Sequence, residues 1–303
     1  MIRVGTASWT DPSLLRTEWY PSWARSDPRE RLRYYAAHFD TVEVDSTYYA
    51  LARPEVVERW ARLTPGHFTF HVKAYSAFTG HGVDARALPA DLRPLVGHGR
   101  ARVPQRDLPP ELVEEAWRRF LESIRPLEEA GKLGYLLFQL PPWIGPTQGA
   151  VTYLRRLRER AGGRLLAVEF RNRAWYERWE RVLPLLRELN MAHVTVDAPR
   201  VIQCPPTVAV ASHERLSVLR CHGRNGGTWA GPHAAPSDRF NWDYGDEEID
   251  ELADYARKLA EQAAHTYVIF NNNYGDQGQR NAASLVERLT GNARPNQQAA
   301  LWT

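Results

Sequence analysis

Lysine is scarce in this chain. Of 39 basic residues, only Lys73, Lys132 and Lys258 are lysine and all the rest are arginine. Genomic base composition accounts for such a skew, and it singles out the three ammonium groups, since an ammonium can change protonation or form a Schiff base where a guanidinium cannot. Cysteine is nearly absent. Cys204 and Cys221 show neither metal-ligand spacing nor a disulfide framework, which fits a reducing compartment. No apolar run approaches the roughly 20 residues of a membrane span. Met1 leads straight into the strand-like IRVGTAS without a signal-peptide pattern, so the expected location is cytoplasmic with no membrane partner. There is no dense basic run or tail. The net charge of +3 and pI of about 8.9 permit an anionic partner without demanding one. Nothing in the sequence speaks to oligomeric state.

What remains is the composition of an ordinary globular protein, 303 residues with 43% hydrophobic and 25% charged, long enough for a sizeable core. Eight strand-like segments recur: Ile2–Ser8, Thr41–Asp45, Phe68–Lys73, Gly134–Leu140, the apolar run that opens Leu165–Tyr176, Ala192–Asp197, Ser217–His222 and Tyr267–Phe270. Helical signals follow nearly all of them. Asp27 and Pro28 open one helix as N-cap and first residue, Pro54 opens another, and acidic residues from Asp246 open a third. The stretch 75–110 holds no period and reads as a long functional loop or lid. The connection 198–214 looks like a crossover without its helix. Eight β/α units in about 290 residues are the count of a TIM (β/α)8 barrel. A doubly wound open sheet would need a Gly-rich turn after the first strand, where the sequence reads ASWTDPSLL. The expected organisation is one barrel domain over residues 1–291 and a tail over 292–303.

The stretch Leu165–Tyr176, LLAVEFRNRAWY, shows the functional signal most clearly. Alternation puts Ala167, Glu169 and Arg171 on one face and Leu166, Val168 and Phe170 on the other, so an apolar strand ends in charge. In a barrel the C-terminal strand ends converge on one mouth, where the chemistry sits. Here those ends carry Ser8 and Trp9, Glu43 and Asp45, Lys73, Gln139, Glu169 and Arg171, Asp197, Arg220 and His222, and Asn271 and Asn272. Such a run of polar ends predicts a pocket. His71 and His193 lie deeper in their strands and read as hydrogen-bonded interior histidines. Trp9, Trp229, Trp242 and Tyr48 follow strands and are candidates for stacking on a ring, with loop packing as the alternative.

The motifs GTASW (Gly5–Trp9), VEVDSTYY (Val42–Tyr49), FHVKA (Phe68–Ala74), FTGH (Phe78–His81), FQLPP (Phe138–Pro142), VEFRNRAW (Val168–Trp175), RCHGRN (Arg220–Asn225) and FNN (Phe270–Asn272) run through nearly the whole chain. In this set and order the chain resembles the YecE-like TIM barrels, domain of unknown function 72. The resemblance implies the barrel and a pocket lined by these motifs, and it implies no reaction. That barrel is similar to those of xylose-isomerase-like and endonuclease IV-like enzymes, a likeness of fold alone. His71 and Asn273 stand where the family often has an acidic residue and a cysteine.

Three chemistries fit these residues. The first is acid/base catalysis on a phosphorylated or phosphodiester substrate, a small anion or a nucleic acid. Lys73, Arg171, Arg220 and Arg224 would hold the anion, Glu169 or Asp197 would act as base and His222 as acid. Trp9, Asp45, Tyr48, Gln139, Asn271 and Asn272 would complete the binding surface. The second is a metal-dependent sugar isomerase or hydrolase, with Mg²⁺ or Mn²⁺ on Glu43, Glu169, Asp197 and His222. No clustered His/Asp motif supports it, and no other cofactor is expected. The third is a non-catalytic binding module using the same pocket.

Overall fold

The computed structural model describes residues 1–97, 101–202, 204–229 and 240–291. Its strands are β1 (Ile2–Ala7), β2 (Thr41–Val44), β3 (Thr69–Lys73), β4 (Val83–Asp84), β5 (Arg102–Val103), β6 (Leu133–Leu140), β7 (Leu166–Phe170), β8 (Met191–Asp197), β9 (Leu216–Cys221) and β10 (His265–Phe270). Eight of them, all but β4 and β5, pair in parallel and close on themselves as β1 pairs with both β2 and β10. This is the expected single-domain (β/α)8 barrel, with each strand within two residues of its expected bounds. The expected tail over 292–303 lies outside the described residues.

Local signals explain the helices. Asp27 caps Pro28–His38, its Oδ1 accepting the Arg29 N–H at 2.7 Å, and proline opens both that helix and Pro54–Leu63. The end of Pro54–Leu63 is held by a lysine: Lys132 Nζ donates to the carbonyls of Ala61 (2.6 Å) and Thr64 (2.7 Å) and to Thr64 Oγ1 (3.1 Å). That buried ammonium is therefore a helix cap, not a catalyst. After β7 a 3-10 turn, Arg173–Arg178, precedes the helix Trp179–Glu188, which carries Pro184. The connection after β8 holds no helix among its described residues. The stretch 75–110 is organised by the antiparallel pair β4 and β5 and by short 3-10 turns.

Both faces of the barrel strands are buried, and the two faces differ in kind. Outward residues such as Val42, Phe70, Leu136, Val168 and Leu219 join the large layer between sheet and helices, while Ala7, Leu137, Ala167, Val194, Val218 and Ile269 fill the lumen. Low in the lumen His71 stacks on Tyr135 with ring centroids 3.9 Å apart, and its Nε2 meets Thr41 Oγ1 at 2.8 Å. His71 is thus an interior histidine, as expected. Gly134 makes room for it, because a Cβ there would lie 2.2 Å from His71 Nδ1. Above this layer the lumen turns polar.

Candidate active site at the barrel mouth

Four strands, β2, β3, β7 and β9, send charge into the upper lumen, and β6 and β10 add the neutral Gln139 and Asn271. Arg220, at the end of β9, is wholly buried and bridges two equally buried carboxylates. Nη1 donates to Glu169 Oε2 of β7 at 2.5 Å, and Nη2 donates to Glu43 Oε1 of β2. Arg171, just past β7, donates from Nε to the other Glu169 oxygen, and its Nη2 lies 3.1 Å from His222 Nε2. Gln139 Oε1 sits 3.4 Å from Arg220 Nη1 and 3.5 Å from Arg171 Nη2. Asn271 Nδ2 meets His222 Nδ1 at 2.8 Å, which leaves Nε2 facing Glu169 Oε1 at 3.3 Å. Nearer the opening, Lys73 Nζ stands 3.6 Å from Asp45 Oδ1, beyond a hydrogen bond, and 4.8 Å from the Tyr48 ring centroid. Lys73 and Arg171 keep 11% and 12% of their side chains exposed, whereas Glu43, Glu169, Arg220 and His222 keep none. The cations at the opening can meet a ligand; the bridge beneath supports them.

The two carboxylates differ electrically. Burial alone would raise Glu169, but Arg171, Arg220 and His222 around it reverse this and hold it well below the usual carboxylate range. Glu43 gives the opposite result: burial, opposed by Arg220 and aided by Asp45, pushes it up to about 7. Glu43 Oε2 is buried and has no hydrogen-bond partner. His222 is pushed down to about 3, by burial and then by the Arg171 charge. That shift favours the neutral imidazole at pH 7.

The expected site residues divide into two groups. Lys73, Glu169, Arg171, His222, Asp45, Tyr48, Gln139, Arg220 and Asn271 share the mouth. Asp197 and Arg224 do not join them, because in β8 the residues facing the lumen are Ala192, Val194 and Val196 and the polar face points out. Asp197 there accepts from Arg224 Nη2 at 2.7 Å and from Tyr244 Oη at 2.6 Å, and Arg224 reaches on to Glu251 at 2.9 Å. This group ties the end of β8 to the helix Asp246–Ala260. Asn272 also faces out, donating to Asn281 Oδ1 at 2.7 Å and to the Trp242 carbonyl at 2.8 Å. Trp9 follows Ser8, whose φ of 86° turns the chain. Its ring packs edge-on against Trp60 (5.4 Å) and Phe70 (6.4 Å) in the outer layer, not in the mouth. Trp229 ends the short helix Gly226–Trp229, and its side chain lies outside the described residues.

Four further residues belong to the mouth. Glu43, expected at the mouth as a polar strand end and given a role only as a metal ligand, is the first. The loop 75–110 supplies His81 and Arg102: Arg102 hydrogen-bonds Tyr48, and Lys73, Arg102 and Arg171 all act on His81. Trp143, just past β6, faces His81 at 5.5 Å. The proline-bounded LPPW is the sequence signal that marks it. The carboxylates do not fit a divalent ion. Glu43 and Glu169 already share Arg220 and Asp197 points away, and among the described residues no group of three His, Cys, Asp or Glu is arranged to hold a metal. No described helix is long and apolar enough to cross a membrane.

Comparisons with known proteins agree with this architecture. UPF0759 protein YunF of Bacillus subtilis is 30% identical over 296 residues, covering 95% of each chain. UPF0759 protein YecE of Escherichia coli is 30% identical over 148 residues, 49% of this chain and 40% of its own. A DUF72 family crystal structure from Enterococcus faecalis superposes with a TM-score of 0.77 at 28% identity over 97% of both chains. One from Thermotoga maritima gives 0.74 at 27% identity over 95% of this chain and 99% of that one. Residues 3–301 match the family described as "Protein of unknown function DUF72", and the chain belongs to that family.

Proposed function

We propose that the barrel mouth is the active site of an enzyme that works by acid/base chemistry on a small phosphorylated or phosphodiester substrate. One observation carries this reading: Lys73 and Arg171 reach the opening while the carboxylates beneath are bridged by a separate buried arginine, Arg220. Without Arg220, Glu43 and Glu169 would consume the charge of the rim cations. With it, Lys73, the nearby Arg102 and the part of the Arg171 charge that Glu169 does not offset keep attraction for an incoming anion, strengthened by partial exclusion of water.

In this reading the substrate anion sits against Lys73 and Arg171. Glu169 stays ionised and orients Arg171. His222, neutral and held by Asn271, offers an N–H rather than a proton charge. Proton transfer falls to Glu43, which the substrate must reach beneath the rim cations; its second oxygen is unengaged and its carboxyl near 7 suits either direction of transfer at neutral pH.

The test is a turnover screen of the full chain on phosphosugars, phosphomonoesters and short nucleotides, repeated with Lys73→Met. Turnover that falls at least a hundredfold in the variant, with the melting temperature within a few degrees of wild type, is the expected result. Undiminished turnover in Lys73→Met removes the lysine from the mechanism. Binding without turnover of any class would make the mouth a binding site instead.

A further inference from the structure

Among the described residues eight large hydrophobic side chains are exposed, and seven of them, all but Met1, lie in segments that leave the C-terminal ends of barrel strands. Part of this exposed apolar surface borders the mouth, where it forms a continuous wall. Tyr49 meets Tyr48 at 5.0 Å, Tyr48 meets His81 at 5.4 Å and His81 meets Trp143 at 5.5 Å, each pair edge to face. The ends are open: Tyr49 is 63% exposed and Trp143 67%.

Trp143 is not a loose loop tip. Asn172 Nδ2 donates to the Pro142 carbonyl at 2.7 Å, Trp175 Nε1 donates to the Ile144 carbonyl at 2.8 Å, and the Ile144 N–H donates to the Pro141 carbonyl at 3.1 Å. Gly80 leaves space for Ile144, since a Cβ there would lie 2.3 Å from its Cδ1. The backbone is pinned on both sides of an indole that touches the His81 ring and is otherwise two-thirds exposed. Ordering an exposed aromatic ring in advance lowers the entropy cost of stacking a ligand on it. Lys73 lies against the same wall at Tyr48, so a π surface and a cation stand side by side.

We propose that this wall is a ring subsite: the mouth takes a nucleotide unit, its base stacking on Trp143 while its phosphate is held by Lys73 and Arg171. The proposal rests on the anion-binding reading above and adds the class of substrate. A sugar phosphate would use the cations and leave the indole bare. A protein partner would cover the wall without any requirement for phosphate.

Calorimetric titration of the full chain with inorganic phosphate, ribose 5-phosphate and uridine 5′-monophosphate separates these cases. The nucleotide should bind about tenfold or more tighter than ribose 5-phosphate, the gain from stacking one base. In Trp143→Ala that margin should vanish, with the two ligands within about twofold; Trp143→Phe should keep part of it. Equal affinities in the wild type, or a margin that persists in Trp143→Ala, would overturn the ring subsite. If ribose 5-phosphate binds in a Lys73-dependent way while no margin exists, the anion reading survives and this proposal alone fails. Failure of all three ligands to bind would overturn both.

Discussion

Replacing Glu43 by glutamine isolates the buried carboxyl at the centre of the site. In the folded protein this group is carried from its ordinary 4.5 to about 7, first by burial. Between those values the folded chain holds a proton that the unfolded chain has released. Stability from Glu43 is then fully present below about pH 4.5 and is lost as pH rises through 7. At about 1.4 kcal/mol per pH unit the loss approaches about 3 kcal/mol. A glutamine amide mimics the protonated acid and cannot titrate, so the Glu43→Gln variant should lack that slope. Urea unfolding followed by circular dichroism at pH 5 and pH 8 reads the difference, and groups common to both proteins cancel. The wild type should lose roughly 2–3 kcal/mol more than Glu43→Gln between the two pH values. Parallel losses would show that Glu43 is ionised throughout, and its assignment as the proton-transfer group would fail.

Two other variants test the frame around it. Arg220→Met leaves Glu43 and Glu169 buried without their shared partner and should cost about 3–5 kcal/mol in urea unfolding; a cost under about 1 kcal/mol would mean the bridge is not what holds them. Gly134→Ala drives a methyl into His71 and Thr69 and should cost at least about 1–3 kcal/mol. In a His71→Ala background that cost should shrink, so strict additivity in the double-mutant cycle would contradict the packing described.

Most of the barrel was legible in the sequence because its signals are local. Strands end where apolar runs meet Pro141-Pro142, Gly223 or Asn271, and helices begin at Asp27, Pro28 and Pro54 with their caps and fixed φ angles. The site was legible in β7, where alternation separates Glu169 and Arg171 from Val168 and Phe170. It misled in β8. There alternation puts His193, Thr195 and Asp197 on one face, and that face is the outer one. Both faces of a barrel strand are buried, so alternation gives two faces without saying which one lines the lumen. Trp9 left the mouth for a similar reason: one residue in the left-handed region, Ser8, redirects the chain, and nothing in its identity announces that. His81 and Arg102 come from a loop without a period, and their position depends on the pairing of two-residue strands too short to leave a pattern.

A crystal structure of the full chain with ribose 5-phosphate tests the assignment of the mouth itself. Density for the phosphate is expected within hydrogen-bonding distance of Lys73 Nζ and Arg171, above an intact Glu43–Arg220–Glu169 bridge. A phosphate bound instead at the opposite end of the barrel, in the shallow depression beside Arg164 and Arg215, with the mouth closed to it, would overturn that assignment.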